Sequence, residues 1–491
     1  MRFLAVVLCC LVTLAVAVAT LRASGDGGEY LLSARALLDH GTPAIREADA
    51  MWLSASEPRW RKLSARIAGG IQLGEPIPLP SVRRAPTGAY YSLHFWFYSL
   101  LAVPFLAVTE HFHLRPALAL VVVNGLAAGT AIAFLFRRFG LGPVSLATAS
   151  LYLLAGTTFY LGWTGPEVLT AAATLVTCLA ARRGELGFAA LAAGVAAAQN
   201  PSAVFLLPYA VWLSRPVRRS LSTWERRCAG AGVLLAVAPY VFFYYEFRVG
   251  SLIARFATDF ALISRERAWS LVFDLNQGMI VGIPGVLIGV TGAIALALRA
   301  PGGSERRRVV ANAGAALLVV VCMAVPTFSI HNWNSGSVVF MRYAYWLAMP
   351  LFELGLEVAA SLPAAQRAVV AGVAAALQLG LLLPNGFAGE NYNYLRHTWA
   401  ATFVLEHWPG AYNPVPEIFY ERTLGWEAPP NRHAVVVWPR RGTPGKAMVR
   451  ADRPARSERV CPEGESFAGA REHTASAGWI FLEAPFRCDG R

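Results

Sequence analysis

The chain has 491 residues, of which 56% are hydrophobic and only 15% are charged. A soluble globular protein carries about 25% charged residues, so this composition excludes a water-facing surface of the usual kind. The net charge of +13 does not indicate nucleic-acid binding, because the arginines cluster in short gaps between apolar blocks, as they do in the cytoplasmic loops of membrane proteins.

The apolar residues occur in about eleven blocks, most of them close to the length of about 20 residues that crosses a hydrocarbon core. The blocks cover residues 3–21, 90–109, 117–136, 146–162, 168–181, 188–213, 229–247, 279–299, 309–328, 344–360 and 367–384. The sequence therefore predicts an all-α polytopic membrane protein with about eleven transmembrane helices, within a range of roughly ten to thirteen. For the first block a cleaved signal peptide is the alternative, since Ala17-Val18-Ala19 resembles a cleavage site.

The orientation follows from the arginines. Arg2 places the N-terminus in the cytoplasm, and the arginine-rich gaps at 215–227 and 299–308 are expected on the same side. An odd number of crossings then puts the C-terminus in the periplasm. The same count leaves Arg137-Arg138 and Arg182-Arg183 outside, against the charge rule.

An alternative topology removes this conflict. The 188–213 block is interrupted at Asn200-Pro201 and could form two short spans, while the 90–109 block would not cross fully. Both ends of the chain keep their predicted sides in either topology. The sequence leaves the two arrangements of residues 90–213 open.

Two polar regions flank the blocks. Residues 22–89 form a long first periplasmic loop with amphipathic helices, within a transmembrane domain predicted to span 1–384. Residues 385–491 form a small periplasmic domain or tail, with β-like runs at 434–438 and 479–482. A disulfide between Cys461 and Cys488 is plausible there, because disulfides persist outside the cytoplasm.

The strongest chemical signal lies just after the first block. Asp26 and Glu29 stand three residues apart among glycines, at the outer surface of the membrane. A carboxylate at this place could take a proton from an attacking hydroxyl or amine. The alternative is structural, because an aspartate before a helix is a common N-cap.

The run Gly25-Asp26-x-x-x-Tyr30-Leu31-Leu32-x-Ala34 resembles the first-loop signature of the GT-C superfamily of integral-membrane glycosyltransferases. That group includes protein O-mannosyltransferases and the aminoarabinose transferase acting on lipid A. Further segments resemble later parts of the family, in the same order along the chain: Tyr90-Tyr91-Ser92, Gly156–Tyr160, Phe273–Gly278 and Trp333-Asn334 to Arg342-Tyr343. The similarity covers most of residues 1–385.

The resemblance implies an inverting glycosyltransferase that uses a polyprenyl-phosphate sugar at the periplasmic side of a bacterial inner membrane. Asp26 would be the catalytic base and Glu29 would assist it, since Gly27 occupies the position where the family often has a second acid. The acceptor would be an unknown glycan, lipid or protein. Substrate-binding residues are expected at Arg342 for the carrier phosphate, and at Tyr343, Asp274, Asn276, Gln277, Trp333, Asn334 and Glu167.

A divalent metal stays open as a cofactor, although no CxxC, His-rich or DxD spacing occurs. Two other classes of protein compete with this interpretation. A transporter or flippase of lipid-linked sugars would fit the broken helix at Asn200-Pro201. A glycan polymerase or ligase would share the membrane and the substrate class.

Overall fold

A computed structural model describes residues 2–23, 25–74, 81–217, 220–299, 303–337, 339–385, 393–427, 435–439, 445–452, 465–468, 471–483 and 487–490. Contacts divide the chain into two compact units. The first consists of Met1–Thr258, Gly285–Ala324 and Tyr345–Gly380; the second consists of Asp259–Pro284, Val325–Ala344 and Leu381–Arg491. The second unit thus joins the tail to two stretches that the sequence assigned to the transmembrane domain.

Helices form most of the first unit, whereas the second unit combines short helices with strands. The helices, in chain order, are α1 (Arg2–Ala19), α2 (Gly27–His40), α3 (Glu47–Ser56), α4 (Arg61–Leu73), α5 (Phe97–His111), α6 (Leu118–Phe139), α7 (Pro143–Tyr152), α8 (Thr158–Tyr160), α9 (Glu167–Arg182), α10 (Leu186–Gln199), α11 (Leu206–Ser214), α12 (Thr223–Phe247), α13 (Leu252–Phe256), α14 (Arg265–Phe273), α15 (Met279–Gly282), α16 (Pro284–Arg299), α17 (Gly303–Thr327), α18 (Arg342–Leu347), α19 (Met349–Ser361), α20 (Ala364–Asn385), α21 (Trp399–His407) and α22 (Pro416–Leu424).

Four helical stretches of the described chain are long and apolar enough to cross a membrane. They are α6, α12, α17 and the Ala364–Leu381 part of α20. Shorter apolar stretches lie at Val6–Ala19, Val144–Tyr160, Leu186–Gln199 and Pro284–Arg299. Several of these helices expose large apolar side chains, among them Leu234 on α12 and Leu318 on α17. Such surfaces suit lipid and not water, so the described helices agree with the prediction of a helical membrane protein. The number of crossings stays a prediction.

The 188–213 block forms two helices, α10 and α11, which separate at Asn200-Pro201. Glu225 of α12 lies against Gly187 of α10, and further along both helices Gly232 lies against Gly194. The contacts advance together, so α10 and α12 run in the same direction. Gly184, just before α10, packs on Val217, just after α11. The chain therefore returns along α11 before α12 begins.

The 90–109 block becomes α5, which lies alongside α2. Tyr98 near the start of α5 meets the ring of Tyr30 edge-on, with centroids 5.3 Å apart. Glu110 near its end pairs with Arg35, one and a half turns further along α2. Both ends of α5 therefore contact the same helix of the predicted first loop.

The two arginine pairs that violate the simple charge rule meet in one ionic network. Arg138 binds Glu357 through two hydrogen bonds of 2.7 Å, and Arg182 lies 2.9 Å from Glu353. Arg137 and Arg183 both approach Glu185, at 2.9 and 3.0 Å. The ends of α6, α9 and α19 and the start of α10 therefore converge.

The first unit also contains a hairpin of β1 (Val82–Arg84) and β2 (Tyr90–Ser92). In the second unit an antiparallel sheet has the order β3 (Val436–Trp438), β4 (Lys446–Arg450), β7 (Trp479–Glu483), β6 (Arg471–Thr474), and β5 (Glu465–Ala468) pairs with β8 (Arg487–Gly490). The strands predicted near 434–438 and 479–482 are confirmed. Cys461 lies outside the described residues, and with it the predicted disulfide to Cys488.

Candidate active site

Helix α2 begins directly after Asp26, at two glycines that permit close packing. A Cβ atom on Gly27 would collide with the side chain of Thr164, and one on Gly28 would lie 2.9 Å from Cγ of Trp60. The carbonyl of Asp26 accepts the amides of Glu29 and Tyr30 at 3.0 and 3.3 Å, but its side chain makes no capping hydrogen bond. Asp26 therefore occupies the predicted N-cap position without the side-chain hydrogen bond of a cap.

The ring of His94 lies between the two carboxylates. Its Nδ1 is 2.8 Å from Oε2 of Glu29, and its Nε2 is 3.6 Å from Oδ2 of Asp26. The hydroxyl of Ser92 donates a second hydrogen bond to the same Glu29 oxygen at 3.1 Å. His94 was not among the residues predicted from the sequence, although it stands only two residues after the run Tyr90-Tyr91-Ser92.

The two carboxylates have different environments. The Glu29 residue is only 5% exposed, whereas the side chain of Asp26 is 38% exposed. Burial raises the pKa of Glu29, and the charge of Asp26 raises it further, while His94 and Ser92 act in the opposite direction. The arrangement gives an accessible carboxylate at Asp26 and a buried one that orients the histidine.

A second layer of hydrogen bonds holds this cluster in place. Oε1 of Gln199 accepts the amide of Tyr98 at 2.9 Å, and its Nε2 lies 3.4 Å from the hydroxyl of Tyr30. Nδ2 of Asn124 donates to the carbonyls of Trp163 and Gly165 at 2.7 and 3.2 Å. These bonds connect α2, α5, α6 and α10 with the segment that leads to α9.

Glu167 is buried at the first residue of α9. It follows Thr164, which packs against Gly27 at the start of α2. The first unit therefore contains Asp26, Glu29 and Glu167 from the predicted site. A substrate-binding role for Glu167 stays a prediction.

The other predicted site residues lie together in the second unit. Asp274, Asn276, Gln277, Trp333 and Asn334 are all buried. One oxygen of Asp274 accepts the amides of Asn276 and Gln277 at 2.8 and 3.1 Å, and the other accepts the hydroxyl of Tyr412 at 3.0 Å. Gln277 in turn lies 3.3 Å from the carbonyl of Trp333.

Helix α22 of the tail completes this network. Oε1 of Glu417 accepts the amides of Trp333 and Asn334 at 2.6 and 3.0 Å, while its Oε2 lies 3.3 Å from Arg267. The side chain of Asn334 accepts Nε of Arg422 at 2.9 Å. Glu417 and Arg422 were not among the residues predicted from the sequence, because they lie in the tail beyond the segments that resemble the family.

Burial dominates the electrostatics of this second cluster. It raises the pKa of Glu417 to about 7, against the opposing charge of Arg267. It lowers the pKa of Arg422 to about 10 and that of His397 to about 3. The pKa of Glu417 therefore lies near neutral pH.

Among the predicted site residues of the second unit, Arg342 differs from the others because it is only partly buried. It begins α18, its Nη2 donates to the hydroxyl of Tyr343 at 3.0 Å, and its guanidinium lies over the Tyr343 ring at 5.1 Å. Tyr343 stacks on Trp333 with centroids 5.9 Å apart. The ring and hydroxyl of Tyr343 thus fix the position of the Arg342 guanidinium, a group well suited to binding an anion.

Within the described part of the chain, no three His, Cys, Asp or Glu side chains are grouped so as to hold a metal ion. Asp26 and Glu29 approach opposite nitrogens of His94 and do not converge on one point. Comparisons with protein-family models, with curated proteins and with solved structures found no match to this chain.

Proposed function

We propose that this protein is a membrane glycosyltransferase of the GT-C type, which transfers a sugar from a polyprenyl-phosphate donor to an acceptor at the periplasmic face of a bacterial inner membrane. The observation that carries the proposal is the pairing of a partly exposed carboxylate, Asp26, with a histidine fixed by the buried Glu29. A helix cap would not need this arrangement, and the Asp26 side chain makes no capping hydrogen bond.

In the proposed reaction Asp26 takes the proton of the acceptor hydroxyl or amine as that group attacks the anomeric carbon. The new bond forms on one face of the sugar while the bond to the carrier phosphate breaks on the other, and the phosphate leaves with the electron pair. The anomeric configuration is therefore inverted. In its imidazolium form His94 donates Nδ1–H to Glu29, and its Nε2–H faces Asp26 at 3.6 Å, so the ion pair holds the position of the base.

The residues of the second unit have two roles in this proposal. Arg342, with Tyr343 beneath it, is the candidate contact for the carrier phosphate. Asp274, Asn276, Gln277, Trp333 and Asn334 already bond to protein groups, so they shape and support this unit. Glu167 is the candidate second carboxylate of the first unit.

For the topology we propose the alternative arrangement, in which α10 and α11 are separate passes and α5 stays on the outer side. The parallel packing of α10 and α12 supports it, as does the position of α5 along α2. The shared ionic network of Arg137-Arg138 and Arg182-Arg183 then lies on the cytoplasmic side, as the charge rule requires.

The test is a strain that lacks this protein, complemented at matched membrane levels with the wild type, Asp26→Asn, Glu29→Gln or Asp39→Asn. Asp39 is the matched control, because it lies on the same helix, its side chain is 39% exposed, and it pairs with Arg35 at 2.7 Å. Polyprenyl-phosphate sugars in extracted lipids are followed by mass spectrometry. Deletion and Asp26→Asn should both raise one sugar-linked carrier by about tenfold or more, while Asp39→Asn should restore the wild-type level.

Two results would count against the proposal. If Asp26→Asn restores the wild-type lipid profile while the deletion alters it, Asp26 is not the base and the transporter interpretation gains. If no sugar-linked carrier changes on deletion, the donor class itself is wrong.

A further inference from the structure

The second unit exposes large aromatic side chains on one face of α14. Trp269 is 65% exposed and stacks on the exposed ring of Phe273, with centroids 4.1 Å apart. The opposite face is buried through Arg267, Ser270 and Leu271. The aromatic face is therefore not needed to fill the core of this unit.

Helix α21 repeats this pattern. Trp399 is 80% exposed and stacks on Phe403 with centroids 5.6 Å apart, one helical turn away. Ala401 and Leu405 on the other face are buried in the core of the unit. This second aromatic face also lies outside the core.

The two helices meet at their ends. Thr398, which caps α21, donates its hydroxyl to the carbonyl of Leu275 at 2.6 Å, and its amide donates to Oδ1 of Asn276 at 2.9 Å. Asn276 is itself fixed by the hydroxyl of Tyr412 at 2.7 Å. Because Phe273 and Trp399 flank this junction in sequence, we call Trp269, Phe273, Trp399 and Phe403 the aromatic band.

The chemistry of the band indicates what covers it. Each Å² of ring surface that stays in water costs about 25 cal/mol of the hydrophobic free energy that burial would provide. Indole and phenyl rings with arginines beside them are typical of the lipid headgroup region. Arg265 at the start of α14 and Arg396 just before α21 are both exposed, and a guanidinium there can bind lipid phosphate.

The sequence positions of the band agree with a lipid partner. The apolar helix α16 begins at Pro284, soon after Phe273, and the apolar helix α20 ends at Asn385, shortly before Trp399. Both aromatic helices are thus connected by short segments to apolar helices. Such a tether keeps an amphipathic helix at the membrane surface.

We propose that the aromatic band inserts into the headgroup region of the lipid bilayer, so that the second unit binds the membrane surface through α14 and α21. The partner is a phospholipid surface and not a soluble glycan. This surface is independent of the carboxylates of α2, and it would be retained even if the glycosyltransferase proposal failed.

The experiment measures membrane depth in the full chain reconstituted into phosphatidylethanolamine–phosphatidylglycerol vesicles. The seven native cysteines are replaced, and single cysteines for a bimane label are placed at Trp269, Phe403 or Glu472. Glu472 is the matched control, because it is an exposed residue of the same unit on strand β6. Lipids with a nitroxide near the headgroup serve as the quencher.

Labels at Trp269→Cys and Phe403→Cys should be quenched at least about twofold more than the label at Glu472→Cys. Equal quenching at all three positions would overturn the proposal, and so would bimane protection that appears only when soluble oligosaccharide is added. If a labelled variant is unstable, the native tryptophans are quenched with brominated lipids instead. Trp399→Phe should then reduce the quenched fraction, and an unchanged fraction would overturn the proposal.

Discussion

At the scale of single residues, Gly27 occupies a position where the packing leaves no room for a side chain. The side chain of Thr164 and the ring of Trp60 occupy the space that a Cβ atom at this position would need. No larger residue can enter without moving the segment before α9. Glu29, in the first turn of α2, holds His94 from the buried side.

Replacing Gly27 with alanine should therefore destabilise the first unit by overpacking, at a cost of about 1–3 kcal/mol. Gly25→Ala is the matched control, because nothing lies within 4 Å of a Cβ atom at that position. Thermal unfolding in detergent, followed by gel filtration, should show a lower midpoint for Gly27→Ala and an unchanged one for Gly25→Ala. Equal midpoints would mean that the contact with Thr164 is not tight.

At the scale of secondary-structure elements, small residues determine how the helices of the first unit pack. Helices α10 and α12 approach so closely at Gly194 and Gly232 that their backbones are in contact. Close backbone approach at small residues is a usual source of stability between helices in membranes. This contact also fixes the parallel direction of α10 and α12, on which the proposed topology depends.

Gly232→Leu should separate α10 from α12 and lower the yield of folded protein, because the leucine would meet the backbone of Ala190 and Leu191. The control is Gly230→Leu on the same helix, where nothing lies within 4 Å of a Cβ atom. Folded protein is measured by fluorescence-detected gel filtration of solubilised membranes. A loss of about 1–3 kcal/mol is expected for Gly232→Leu; similar profiles for both variants would contradict the packing.

At the scale of the whole molecule, the tail is joined to two distant stretches of chain through buried polar groups. Glu417 of α22 holds the amides of Trp333 and Asn334 and pairs with Arg267. Burial makes the charged form of this carboxylate costly, which is why its pKa rises to about 7. The stability of the second unit should therefore depend on pH in the neutral range.

An unfolded glutamate has a pKa of about 4.3, so the folded state binds this proton more tightly. The contribution of Glu417 to stability is fully present below about pH 4 and is lost as the pH rises through about 7. Glu417→Gln should remove this pH-dependent loss, so stability should fall less between pH 6.5 and pH 8 in the variant than in the wild type. Chemical unfolding at the two pH values checks this.

Glu406→Gln, an exposed change on α21, is the control and should follow the wild type. His397 acts mainly at lower pH, because burial lowers its pKa to about 3 and its contribution is lost as the pH falls below the unfolded value of about 6.5. If the wild type and Glu417→Gln lose the same free energy of unfolding between pH 6.5 and pH 8, the assignment of this pH dependence to Glu417 is wrong.

The sequence by itself determined the membrane character of the chain, the presence of helices after the first block, two strands of the tail and the position of Asp26 and Glu29 at the start of one helix. These features depend on the local order of apolar and polar residues, which is visible without a fold. The family resemblance added a hypothesis about chemistry, which stays a prediction.

Only the tertiary structure decided which distant polar groups meet. His94 reaches Glu29 across 65 residues of chain, Arg138 reaches Glu357 across 219, and Arg267 reaches Glu417 across 150. Such pairs have no periodic signal in the sequence, because their positions depend on how whole helices pack. Packing determines which carboxylate is buried and which stays open, and this difference separates the orienting Glu29 from the accessible Asp26.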